Sequence, residues 1–191
     1  MLLTDYNWKS AFTYIELIVV IVVISILSVG GAHLMRFFIQ NAIYIPHQLS
    51  VDMLNSEAFN IMIEGDPQAK GLRFCKRINS MDDNQVTFTN ENDDSVSYQL
   101  NTITNQLYRQ INGNPSTLFP YYWPSGIVVA GKNNKAFIYL DSNEAVIDPV
   151  TGNPANVRRV AIDIVAQTGT GAFNQWEGQA ELNSSIAVNR Y

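Results

Sequence analysis

From Leu17 to Ala32 the chain runs LIVVIVVISILSVGGA without one charged side chain, and no other feature of its 191 residues limits the fold as strongly. Counted from Phe12 to Ala32 the segment has 21 residues. As a helix it is about 31 Å long at about 1.5 Å per residue, matching a hydrocarbon core of roughly 30 Å. In lipid a lone segment must satisfy its own backbone, so a helix is the form open to it despite the many β-branched residues. Lys9 precedes the span and His33 and Arg36 follow it, too few cations to set orientation by charge.

Two simple readings compete for such a segment. A secretory signal peptide has an apolar region of about 7–15 residues and then a small-residue cleavage site. Here the run is longer, and SAFTYIE separates it from Lys9. A plain membrane anchor is the second. Glu16, at the very edge of the span, argues against both, because a carboxylate inside hydrocarbon costs a few kcal/mol and usually marks function. At the interface the same carboxylate reaches water and means little.

The helical pattern continues beyond the span. His33–Ile45 stays largely apolar, and Pro46 interrupts it. Val51, Leu54, Ala58 and Ile61/Met62 then recur at three- and four-residue spacing, with Asp52, Ser56, Asn60 and Glu64 on the opposite side. That is an amphipathic helix. One long helix is expected from about Tyr14 to Glu64, bent near Gly30-Gly31 or Pro46 and ended by Gly65-Asp66-Pro67.

After residue 66 the period changes. Gln68–Ile78 is a connector, read as a short helix with Leu72 and Phe74 or Cys75 inward. Alternating runs follow at Val86/Phe88, Val96/Tyr98/Leu100 and Leu107/Ile111, separated by Asn, Asp and Gly, the residues of turns. A hairpin is expected around Thr102–Asn105, and another where Gly126–Ala130 and Ala136–Leu140 flank Gly131-Lys-Asn-Asn134. Val157–Thr168 turns Val160, Ile162 and Ile164 inward; Gln179–Asn189 turns Leu182, Ile186 and Val188 inward. The expected fold is α+β: the long helix packed on one meandering antiparallel sheet of six or seven strands. The division reads 1–11 leader, 12–32 membrane half of the helix, 33–64 amphipathic half, and 65–191 head.

Composition narrows function. With 47 % hydrophobic residues and 15 % charged the chain is not disordered, and with 17 acids against 12 Lys+Arg it is no basic nucleic-acid binder. Cys75 is the only cysteine, so no internal disulfide and no multi-cysteine zinc site can form. G-x-S-x-G, a Walker loop, H-E-x-x-H and C-x-x-C are all missing, so a catalytic role is not expected.

The string Ala11-Phe12-Thr13-Tyr14-Ile15-Glu16-Leu17, followed by the apolar run, resembles the class III signal of type IV pilins and pseudopilins. In that family a small residue, usually Gly, precedes the cut, Phe becomes the new first residue, and Glu lies four residues on. Phe12 and Glu16 keep that spacing, and Thr13 and Leu17 fit it. Ala11 departs from the usual Gly, and the single Lys9 is a sparse version of the basic leader. The resemblance implies cleavage after Ala11 and N-methylation of Phe12 by a prepilin peptidase/methyltransferase. It further implies insertion in the inner membrane with the head extracytoplasmic. An assembly platform would then pack the subunit with other pilin or pseudopilin subunits into a periplasmic pseudopilus or surface filament. In that family the freed amine of an incoming subunit is thought to pair with the neighbour's acid, here Glu16. Such a pair offsets two desolvation costs that neither ion could bear alone in low dielectric.

Two looser patterns resemble the J-type minor pseudopilins of type II secretion: the Tyr98-Gln-Leu hairpin returning through Leu107-Tyr108-Arg109, and the closing pair VRRVAIDIVAQT and SSIAVNR. The expectation is a minor subunit that primes or caps assembly. A major pilin forming the shaft is the alternative within the family. A membrane-anchored binding or enzymatic domain is the alternative outside it.

Other candidates read more plainly. Cys75 is a buried small hydrophobe; His33 and His47 are solvated or interface histidines too far apart to share a metal. The aromatic loop Leu118–Gly126 packs over a sheet edge, with adhesion or partner docking as its sharper reading. Acids cluster at Asp82-Asp83, Glu91–Asp94 and Asp141–Asp148. No cofactor is expected; calcium, which takes six to eight oxygens, is the lesser reading of DSNEAVIDPVTGN, and a solvated loop the main one.

Overall fold

The computed structural model describes residues 13–121, 123, 126–168 and 179–188. The chain divides into two compact units, one ending at Ala42 and the other starting at Ile43. One helix, α1 (Tyr14–Ile63), supplies the described part of the first and opens the second. Its backbone assignment continues through Gly30-Gly31 and through Pro46, so neither ends it.

In the first unit every described residue up to Ile39 is exposed. α1 is long and apolar enough to cross a membrane. Its two serines in this unit bond to the helix itself. Ser25 Oγ donates to the Ile21 carbonyl and Ser28 Oγ to that of Ile24, both at 2.7 Å, which is how hydroxyls are satisfied in an apolar helix.

In the second unit α1 becomes amphipathic as its spacing predicts. Val51, Leu54, Ala58 and Met62 are buried, while Asp52, Ser56, Asn60 and Glu64 face solvent. Then come β1 (Gly65–Asp66), β2 (Ala69–Lys70), a 3₁₀ turn at Leu72–Phe74, β3 (Cys75–Asp82), β4 (Gln85–Asn90), β5 (Ser95–Asn101), β6 (Gln106–Ile111), β7 (Thr117–Leu118), β8 (Ile127–Gly131), β9 (Phe137–Leu140), β10 (Val146–Ile147), β11 (Arg159–Thr168) and β12 (Gln179–Ala187). Leu72 and Cys75 turn into the core as expected, but the short helix expected over Gln68–Ile78 is only the 3₁₀ turn at Leu72–Phe74, because β3 starts at Cys75 and pairs with β4. Val160, Ile162, Ile164, Ile186 and Val188 also turn inward as expected; the side chain of Leu182 lies outside the described residues.

The strands form two five-stranded antiparallel sheets and a small β1–β2 ribbon, not the single meander of six or seven expected. Strands β3 to β7 pair strictly in sequence order, whereas β11 takes β12 on one edge and both β8 and β9 on the other. Alternation tells which side of a strand is buried, but it carries no information on which distant strand lies beside it.

The Gly131-Lys-Asn-Asn134 segment is also corrected. Asn133 and Asn134 do adopt positive φ, at 52° and 64°, and Lys132 bridges Lys135. Yet β8 and β9 do not fold back on each other. Ile127–Gly131 pairs with Thr168–Ile164 and Phe137–Leu140 with Ile162–Arg159, so β8 and β9 run collinearly along β11 with a looped excursion between them. Asp163 fills the gap: its carbonyl accepts from Lys132 N–H, and its N–H donates to the Ala136 carbonyl. A Cβ on Gly131 would lie 2.5 Å from the Lys135 carbonyl carbon, so only glycine closes this excursion. The hairpin at Thr102–Asn105 forms as expected, with Asn105 at φ 53°.

One core fills the second unit. Phe88, Tyr98 and Phe119 stack in series, with ring centroids 5.7 and 5.3 Å apart. Tyr139 ties the two sheets together, its hydroxyl lying 3.0 Å from the Asp82 carbonyl and 2.8 Å from that of Gln85. Two α1 side chains fasten the helix to β12. Gln48 Nε2 donates to the Gln179 carbonyl while Gln179 N–H donates to Gln48 Oε1, both at 3.0 Å, imitating a strand pairing with one side chain. Asn55 Nδ2 donates to the Ala180 carbonyl at 2.8 Å.

Candidate functional site

Ala11 and Phe12, the expected processing residues, lie outside the described residues. Glu16 lies in the first turn of α1. Its Oε2 accepts from Thr13 N–H at 2.8 Å and from Thr13 Oγ1–H at 2.9 Å, and Glu16 N–H lies 3.4 Å from Thr13 Oγ1. This is a capping box: the first amides of a helix lack intrahelical acceptors, and Thr-x-x-Glu supplies them reciprocally. The signature stands openly at Thr13–Glu16, and reading Glu16 only as an acid at the membrane edge passes over it. The carboxylate is thus held at the helix terminus, with Oε1 unclaimed among the described residues.

In the head the loop after β7 departs from a uniform packing role. Phe119 is buried in the core, and Trp123 Nε1–H donates to the Ile127 carbonyl at 3.0 Å. Tyr121 instead stands 98 % exposed. It separates two depressions that also share Asp66: a cavity of about 400 Å³ lined by Gln68, Arg109 and Thr117, and an open groove of about 510 Å³ against the α1 face at Met53, Glu57 and Ile61. Arg109 is only 5 % exposed. Its Nη1 lies 2.9 Å from Asp66 Oδ2, an ion-pair distance though poorly aligned for a hydrogen bond, and its Nη2 donates to Gln68 Oε1 at 2.8 Å. Nε finds no acceptor among the described residues. Sequence reading missed this cluster, because nothing in the spacing of residues 53, 66, 109 and 121 brings them together.

The remaining candidates separate. Cys75 is buried and His33 and His47 are exposed. Asp141 Oδ1 accepts the amides of Asn143 and Ala145, and Asp148 Oδ1 those of Val150 and Thr151. Those two amides hold the Asp148 carboxyl below its usual range. Asp141 and Asp148 each commit Oδ1 to a turn and Glu144 pairs with Arg159, and among the described residues no three His, Cys, Asp or Glu side chains converge on a metal position. No family model, curated protein or solved structure matches the chain.

Proposed function

We propose that this chain is a prepilin-like subunit of a type IV filament or type II secretion pseudopilus. It is cut after Ala11, methylated on Phe12 and assembled by lateral packing of α1. Within that class we infer a minor, J-like subunit acting at initiation or at the tip. Its role is structural, not catalytic.

The observation that carries this reading is that the exposed apolar surface of α1 is longer than a bilayer's hydrocarbon core is thick. Exposed large apolar side chains run from Tyr14 to Ile45, a length of about 48 Å at about 1.5 Å per residue. A bilayer's hydrocarbon covers roughly 30 Å. Leu34, Met35, Phe37, Phe38, Tyr44 and Ile45 therefore lie exposed on a stretch that lipid alone does not cover. A patch of this kind marks a protein interface, and sister helices are the partners that match a long apolar rod. Thr13 and Glu16 add to it by presenting a carboxylate at the helix terminus, where a neighbour's freed amine, cationic at neutral pH, would find it.

Intact-mass measurement of protein extracted from the native membrane tests the reading. Loss of the first eleven residues together with one added methyl is expected. A full-length, unmethylated mass in assembled material overturns it. Abundance in sheared filaments then decides the subunit's place, since a shaft subunit dominates such a preparation and a tip subunit is scarce.

A further inference from the structure

The groove beside Tyr121 lies on the head, where α1 borders the loop after β7. Met53, Glu57 and Ile61 follow one another at four-residue spacing and so share one face of α1. Together with Asn60, Asp66 and Tyr121 they line an open trough on the head. We propose that this groove seats a Lys or Arg side chain carried on a segment of a different protein.

Three observations point to a cation. Tyr121 offers nearly its whole ring to solvent, and an aromatic face attracts Lys or Arg within about 6 Å. Glu57 is exposed and, among the described residues, forms no ion pair. Arg109, the cation in the adjoining cavity, is buried against Asp66, so its charge is already matched and Glu57 leaves the trough negative. The stem of a long basic side chain would lie on Met53 and Ile61, as such stems do on apolar surface.

A second copy of this chain carries net charge −5, and six of its head cations, at Arg73, Lys76, Arg109, Lys132, Lys135 and Arg159, are held by its own acids. Arg77 and Arg158 are exposed and outside those pairs, so an adduct to a second copy is the outcome that would assign the groove to them instead. Charge complementarity sets which partner such a rim selects.

The test places the photo-crosslinking residue p-benzoylphenylalanine at position 121 of the full chain in native membranes. Irradiation is expected to join it to one other protein, at a segment with an adjacent Lys or Arg. Glu57→Lys should lower the yield about fivefold or more, and Glu57→Gln less, because repulsion adds to the lost attraction. Changing the partner's basic residue to Glu in the Glu57→Lys background should restore the adduct. Absence of any protein adduct overturns the proposal, as does an adduct to a second copy, to a segment without a basic residue, or with a yield unmoved by Glu57→Lys. Leader removal has no bearing on these outcomes, so the filament reading and the groove are tested separately.

Discussion

The phenol of Tyr98 donates to the carbonyl oxygen of Ile61 at 2.9 Å, so a wholly buried residue of β5 satisfies a carbonyl in the last turn of α1. The final carbonyls of a helix have no intrahelical donor, and this one is met by the sheet. Tyr98→Phe keeps the ring between Phe88 and Phe119 and deletes that bond together with the hydroxyl's contact with Arg109. A loss of about 1–2 kcal/mol is expected, against about 3–5 kcal/mol for Tyr98→Ala, which also opens a cavity. Urea unfolding followed by near-ultraviolet circular dichroism of the full chain separates the two.

The same burial makes stability depend on alkaline pH. Loss of solvation raises the phenols of Tyr98 and Tyr139 well above their ordinary range. An unfolded tyrosine ionises near about pH 10; above that pH the unfolded chain has lost protons that the folded chain retains. Their contribution is therefore complete below about pH 10 and declines as pH rises further, at up to about 1.4 kcal/mol per pH unit for each phenol. Unfolding free energies from pH 8 to 12 should be flat at first and then fall, less steeply in Tyr98→Phe.

Asp66 and Arg109 form an ion pair of unequal burial, 24 % against 5 % exposed. Removing the acid strands a buried guanidinium, while removing the base leaves a carboxylate that still reaches water and still accepts the amides of Gln68 and Ala69. Asp66→Asn is therefore expected to cost about 3 kcal/mol, and Arg109→Met clearly less. Equal losses in thermal denaturation would contradict this ordering.

Gln48 replaces a missing strand at the outer edge of β12. Gln48→Met should leave global stability within about 1 kcal/mol but expose the Gln179 amide to solvent. Hydrogen exchange at Gln179 should accelerate while the amides of β12 bonded to β11 keep their protection.

Glu16 both caps α1 and, in the proposed function, neutralises a neighbour's amine. Glu16→Gln retains an acceptor for Thr13 and discards the charge; Glu16→Ala discards both. If the charge drives assembly, both variants insert in the membrane and both lose incorporation into filaments about tenfold or more, a difference of roughly 1.4 kcal/mol. Normal incorporation of Glu16→Gln would assign the residue to capping alone.

Much of this molecule is legible one segment at a time. The expected helix from Tyr14 to about Glu64 ends at Ile63, and the inward positions from Val51 to Met62, Val86 to Leu107 and Val160 to Ile164 are buried. These follow from periodicity, because a side chain's direction is set by its own element. Asn133 and Asn134 show where that reasoning stops. Their turn forms, but whether the flanking strands reverse or continue depends on β11, some thirty residues on.

By itself, then, the sequence determined an apolar rod, its amphipathic continuation, the capping box at Thr13 and Glu16, and which face of β4, β5 and β11 is dry. Tertiary structure alone decided that the strands divide into two sheets, that β8 and β9 share an edge of β11, and that Asp66, Arg109 and Tyr121 meet beside the helix face at Glu57. The reason is physical: hydrophobic burial is non-directional, so a local pattern specifies that a face must be covered, while long-range backbone pairing selects what covers it.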